Sequence, residues 1–258
     1  MPRFAANLSM MFSELPFLDR FAAAAAAGFR AVEYMSPYEY EIADLRARLD
    51  ETGLVQALHN LPMGDFAKGD RGIAGDPARV DEFRAGVASG IEYASALGCR
   101  RLNCLAGIAP RHAGDAAIHA AFVGNLRYAA RECASAGIVL VTEPINTRDI
   151  PGFWLNRSAQ AIAIIDEVGA DNLKLQYDVY HMQIMEGDLA PTIERLLPRI
   201  GHIQIADTPG RHEPGTGEIN YGFLFAHLDR IGYDGWIGCE YKPAGETTAG
   251  LSWMDPWR

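Results

Sequence analysis

Short apolar runs rich in β-branched residues alternate with longer stretches of helical periodicity. Eight such runs fit within 258 residues, and glycine marks most returns from helix to strand. Together these observations predict an α/β fold, a (β/α)8 TIM barrel forming one domain over residues 1–258.

The first run, FAANLS (4–9), leads to a helix expected over 16–27 that contains the Ala22–Ala27 tract. AVEYM (31–35) precedes a helix over 41–52, LVQALHN (54–60) one over 76–97, and RRLNCLA (100–106) one over 115–136. IVLVTE (138–143) is followed by a helix over 158–168, LKLQYD (173–178) by one over 188–198, and IGHIQIA (200–206) by one over 222–231. GWIGCEY (235–241) is the eighth strand. Only residues 242–258 remain after it, so the last helix is expected to be short, with Trp253 and Trp257 packing on the barrel or on a partner subunit. Near-continuous apolar strands joined by helices imply a parallel sheet covered on both faces. The helix-to-strand turns carry Gly28, Gly53, Gly98, Gly137, Gly169 and Gly232, which suit left-handed helix caps. The strand-to-helix connections 61–75, 144–157 and 207–221 are long and polar. Elaboration of that one face is what a barrel does at its functional, C-terminal end.

Hydrophobic residues make up 49% of the chain and charged residues 22%, a balance that supports an ample core. The formal net charge of −10 and the absence of a Lys/Arg cluster argue against nucleic acid or an anionic membrane surface as partner. The start MPRFAANLSMMF lacks the long apolar stretch of a signal peptide. Cys99, Cys104, Cys133 and Cys239 form no Cys-x-x-Cys pair. Reduced thiols in a cytoplasmic enzyme are the expectation. Barrels of this size often pair, which leaves a homo-oligomer open.

The stretch IVLVTEPIN (138–146) poses a question: an apolar run shaped for burial ends on a carboxylate, Glu143. The same thing happens on the next strands. Asp178 ends KLQYD, Gln204 lies near the end of HIQIA, and Glu240 ends IGCE. Neighbouring strands lie about 4.8 Å apart, so four consecutive strand ends can converge on one small volume. Three carboxylates that close need a cation or a proton between them. An all-oxygen donor set is hard and suits Mg2+ or Mn2+ better than zinc.

The segments VTEPINTRDIPGF, YDVYHMQIMEGDL, GHIQIAD, GRHEPGTGEINY and WIGCEYKP resemble the hydroxypyruvate isomerase family, a branch of the xylose-isomerase-like TIM barrels, and the opening PRFAANLSMMF also fits. The resemblance implies a divalent metal on Glu143, Asp178, Gln204 and Glu240, with Glu143 and Glu240 as the acid/base pair. Glutamine on the seventh strand fits this family, whereas related sugar epimerases usually carry histidine there. The implied reaction is the interconversion of hydroxypyruvate and tartronate semialdehyde (2-hydroxy-3-oxopropanoate), an intramolecular oxidoreduction of the aldose–ketose type passing through an enediolate. His181 resembles the family's substrate-oxygen contact. Arg211, after strand seven, could hold a substrate carboxylate in a two-pronged contact, or be a solvated loop residue. Arg71, in the loop after strand three, is a weaker rival. His59 ends strand three and either lines the pocket or sits in the core. Asp149 and Glu218 read as outer or surface residues, and Gly152-Phe153-Trp154 either covers the mouth or packs under its loop.

Two rival activities stay in view. Sister isomerases of 2-oxo-tetronates and epimerases or isomerases of ketoses and sugar acids share the chemistry with a different substrate. Endonuclease IV relatives share the barrel but bind three zinc ions and need a basic groove and more histidines than the seven here. A non-catalytic barrel that binds a sugar acid is disfavoured by the intact carboxylate set.

Overall fold

The computed structural model describes residues 1–257. Eight strands follow one another around a closed, all-parallel barrel in sequence order. They are β1 (Arg3–Asn7), β2 (Ala31–Tyr34), β3 (Val55–Asn60), β4 (Arg101–Cys104), β5 (Val139–Thr142), β6 (Leu173–Asp178), β7 (Ile200–Ile205) and β8 (Trp236–Cys239). All eight expected strands are present; β6 keeps the expected bounds, and the ends of the others shift by one or two residues.

Eight helices cover the barrel: α1 (Arg20–Ala26), α2 (Ile42–Thr52), α3 (Val80–Leu97), α4 (Asp115–Ser135), α5 (Ser158–Val168), α6 (Val179–Met185), α7 (Leu189–Leu196) and α8 (Tyr221–Arg230). Seven were expected. The addition is α6, which starts directly at the end of β6. Its sequence VYHMQIM hides the helical period because Val179, Tyr180, His181 and Met182 are all buried, leaving no polar stripe. The six predicted cap glycines all take positive φ, from 68° at Gly53 and Gly137 to 90° at Gly28.

The chain ends in a 3-10 segment, Thr248–Trp257, in place of a regular eighth-unit helix. Trp253 stacks edge-on against Phe4 of β1 at 5.0 Å and lies 5.8 Å from Phe225 of α8, and Trp257 meets Phe225 at 5.5 Å. The two tryptophans therefore close this side of the barrel from within the same chain. Between strands and helices runs one continuous apolar core that includes Leu102, Phe122, Leu126, Leu140, Leu175 and Ile203. No helix among the described residues is long and apolar enough to cross a membrane.

Strand register decides which polar residues become neighbours. Asn7 lies beside Glu33, Asn60 beside Asn103, Asp178 beside Gln204, and Gln204 beside Gly238. Residues two apart on a strand share a face. Gln176 therefore accompanies Asp178 into the barrel, and His202 accompanies Gln204.

Candidate active site

Glu143 and Glu240 are the first residues past β5 and β8, and Asp178 is the last of β6. Pro144 cannot donate a ladder hydrogen bond, so pairing stops where the carboxylate is presented. Asp178 is also the N-cap of α6: its Oδ1 accepts from Tyr180 N at 2.7 Å and His181 N at 3.3 Å. Its Oδ2 is buried without a hydrogen-bond partner. Ligand-capable atoms of Glu143, Asp178, His181 and Glu240 all lie within 4.8 Å of one another, and all four residues are buried.

A layer of amides beneath the carboxylates holds them in place. Glu143 Oε2 accepts from Asn103 Nδ2 at 2.8 Å and Gln176 Nε2 at 2.9 Å. Gln176 Nε2 also donates to Gln204 Oε1 at 2.5 Å. Gln204 Nε2 donates to Glu33 Oε1 at 2.7 Å, which leaves the Gln204 oxygen facing Gln176 on β6. Asn7 Nδ2 bridges Glu33 Oε1 at 3.0 Å and Glu240 Oε1 at 3.2 Å. Glu33 Oε2 lies 2.6 Å from His202 Nε2, with both residues fully buried. Gly238 makes room for Glu33, since a Cβ there would fall 2.3 Å from each of its oxygens.

Arg211 comes in from the loop after β7 on a left-handed backbone (φ 55°). Its Nη2 lies 2.6 Å from Glu240 Oε2 and 3.9 Å from Asp178 Oδ2, and the guanidinium stacks over Tyr180 at 5.0 Å. The loop is shaped by Asp207, whose carboxylate accepts the N–H groups of Thr208, Gly215, Gly217 and Ile219.

Burial, together with repulsion from Glu240 and Asp178, raises the pKa of Glu143 well above the ordinary carboxylate range. Burial also raises Asp178 and Glu240, against the attraction of Arg211. Burial and the neighbouring Arg211 lower His181 well below an ordinary imidazole. Three acids share the centre with one guanidinium, so at neutral pH it retains proton affinity or excess negative charge. The orphaned Asp178 oxygen and the converging carboxylates fit a hard divalent cation.

The structure thus brings together Glu143, Asp178, Glu240, His181 and Arg211, with Gln204 directly beneath. Two other predicted residues lie elsewhere. His59 is fully buried between Tyr34 and Tyr38, with Nδ1 2.9 Å from Gln56 Nε2, and burial pushes its pKa down to about 3. It is a core histidine because it alternates with Asn60, which meets Asn103 inside the barrel, and so lies on the outer side of the sheet against Tyr34 and Tyr38. Arg71 folds back over Phe66 at 3.6 Å and donates to the Phe66 and Asp70 carbonyls. Its own loop satisfies it, and among the described residues it forms no hydrogen bond or ion pair with Glu143, Asp178 or Glu240. Phe153 and Trp154 are buried, with Trp154 donating to Asp115, so this stretch packs under its loop.

Asn7, Glu33, Asn103, Gln176 and His202 were not anticipated. The available signal was a polar side chain inside an apolar strand, two residues before an already suspected one on β6 and β7.

The xylose isomerase-like TIM barrel family matches residues 21–257. Over 258 residues, and the full length of both chains, the sequence is 55% identical to the hydroxypyruvate isomerase of Escherichia coli. It is 54% identical over 257 residues to the 2-oxo-tetronate isomerase of Cupriavidus necator, covering 100% of this chain and 99% of the relative. A crystal structure described as an AP endonuclease of family 2 from Brucella melitensis superposes with a TM-score of 0.97 at 45% identity, over the whole of both chains. The chain therefore belongs to the xylose isomerase-like TIM barrel family.

Proposed function

We propose that this chain is an isomerase of short hydroxy-oxo acids that interconverts hydroxypyruvate and tartronate semialdehyde, with Glu143 and Glu240 as the acid/base pair. The observation that carries the reading is the convergence of two buried, proton-affine glutamates from β5 and β8 on one centre. Full-length relatives named for this chemistry support it.

In the forward direction, one carboxylate removes a proton from C3 of hydroxypyruvate. The electron pair forms the C2–C3 double bond of an enediolate, leaving negative charge on the C2 oxygen. A carboxylic acid then returns a proton to C2, while the hydroxyl proton passes from the C3 oxygen to the C2 oxygen. C3 becomes the aldehyde and C2 the carbinol. Positioned acid–base groups of this kind each contribute about 10²–10⁴-fold. Their raised pKa values suit groups that must hold a proton as readily as give it up. Glu143, Asp178, Gln204 and Glu240 would hold Mg2+ or Mn2+, which when bound supplies positive charge for the developing oxyanions. Arg211, now paired with Glu240, would exchange that contact for the substrate carboxylate. His181 presents its ring edge to the same centre. A cytoplasmic setting goes with four free, buried cysteines.

A second reading, isomerisation of 2-oxo-tetronates, is favoured by the 54% identity to the Cupriavidus relative. A nuclease reading asks for more than one cation, and the described residues form a single His/Asp/Glu cluster able to hold one. The deciding experiment is a panel assay of hydroxypyruvate, 2-oxo-tetronates and ketoses, each in EDTA and with added Mn2+. Highest kcat/KM on hydroxypyruvate supports the first reading. Preference for a four-carbon acid installs the second, and turnover of neither refutes both.

A further inference from the structure

We infer that Asn146 is a positioning residue that locks His181 in the tautomer carrying its proton on Nε2, which makes His181 a donor to the substrate and removes it from the metal ligands. The inference deepens the proposed reaction and rests on that reading for the substrate's identity, though its geometric part stands apart from it.

Asn146 is fully buried in the connection that follows β5, three residues after Glu143. Its Oδ1 accepts the backbone N–H of Asp149 at 2.7 Å. A backbone N–H can only donate, so the amide has one orientation and its NH2 group must face the other way. There Nδ2 finds two partners: Asp149 Oδ2 at 3.2 Å and His181 Nδ1 at 2.7 Å. Asp149 Oδ2 also accepts from Tyr180 Oη at 2.7 Å, which fixes the carboxylate as an acceptor. Both amide hydrogens are thereby used, and one points at His181 Nδ1.

An imidazole nitrogen facing an N–H must offer its lone pair. Nδ1 therefore carries no proton, and in the neutral ring the proton sits on Nε2. That atom faces the reaction centre, 3.6 Å from Asp178 Oδ2 and 3.7 Å from Glu143 Oε1. A nitrogen that bears a proton has no lone pair for a cation. His181, although it lies within the cluster of ligand-capable atoms, is thus excluded from coordination and presents N–H toward the space between the two carboxylates. A donor in that place suits an oxygen that becomes negative as the enediolate forms. Removing the partner that fixes a metal-ligating histidine costs about 10–100-fold in affinity or activity, and a loss of that order is the expectation for a donor held in place the same way.

The test uses the full chain labelled with 15N-histidine. The His181 signals, assigned by their loss in His181→Gln, report which ring nitrogen carries the proton. Wild type is expected to show Nε2–H. Asn146→Asp keeps the acceptor for the Asp149 N–H but replaces the donor to Nδ1 with an oxygen, so the proton should move to Nδ1. Asn146→Leu removes the donor and should leave both tautomers populated. In both variants kcat should fall about 10–100-fold while KM changes less and the fold, followed by circular dichroism, is retained. Nδ1–H in the wild type, or unchanged Nε2–H in both variants, overturns the inference. A shift of tautomer with unchanged kcat overturns the catalytic half of it. If the tautomer moves as expected but wild type turns over neither hydroxypyruvate nor 2-oxo-tetronates, the proposed reaction fails and the positioning role stands.

Discussion

Adding one methyl group inside the barrel tests how firmly the layer beneath the carboxylates is built. Gly238 on β8 lies beside Gln204 on β7, and a Cβ there would fall 2.3 Å from both oxygens of Glu33. Glu33 has nowhere to go. It is fully buried, with Oε1 held by Asn7 and Gln204 and Oε2 against His202. Gly238→Ala therefore overpacks the interior at a cost of about 1–3 kcal/mol. It also breaks at least one hydrogen bond to a charged group, worth about 1.5–3 kcal/mol. Together the loss is about 4 kcal/mol. For a chain of about this size each kcal/mol moves Tm by about 2–4 °C, so calorimetry should show a fall of about 8–16 °C. The same substitution in a Glu33→Ala background has no carboxylate to meet and should cost less than about 1 kcal/mol, a coupling that a double-mutant cycle reads directly. A Tm for Gly238→Ala within about 2 °C of wild type, or equal losses in both backgrounds, would refute the reasoning.

Three further outcomes are expected. Glu143→Gln and Glu240→Gln should each lower kcat by at least about 10²-fold with the circular dichroism spectrum unchanged, and near wild-type turnover in either removes that residue from the acid/base pair. Without metal, Glu143, Asp178 and Glu240 have folded pKa values above their unfolded ones. The folded state then binds more protons than the unfolded state, so stability falls as pH rises. His59 and His181 act in the opposite direction, but only below the ordinary imidazole pKa of about 6.5. In EDTA, Tm should therefore drop between about pH 7 and 8, and Mn2+ should abolish the drop; a flat EDTA profile counts against the raised values. Trp253→Ala removes the ring packed on Phe4 and Phe225 and should destabilise the protein by about 3 kcal/mol, which denaturant unfolding can measure.

Local pattern determined the architecture. Eight apolar runs, seven amphipathic stretches and six glycine caps each agree with the closed barrel because period, burial and turn chemistry are properties of adjacent residues. α6 escaped for the same reason: its exposed stripe is missing, and its cap, Asp178, reads locally as a strand end. Glu143, Asp178, Gln204 and Glu240 were legible because carboxylates and amides at the ends of apolar strands break the pattern that burial demands. His59 breaks that pattern as well, yet it lies on the outer side of the sheet against Tyr34 and Tyr38. Which of two faces a strand residue takes is set by register, and sequence leaves that choice open at β3, where Ala57 is an extra residue against β2.

Only the tertiary structure decided the rest. Closure of the barrel joins β1 to β8, so Asn7 and Glu33 reach Glu240 and Gln204 across more than 150 residues of sequence. It also turned Arg211 inward onto Glu240 and left Arg71 stacked on its own loop. The sequence by itself determined that hard oxygen donors stand at consecutive strand ends. How each is oriented, and by which partner, depends on hydrogen bonds between strands remote in the chain, and those exist only once the sheet has closed.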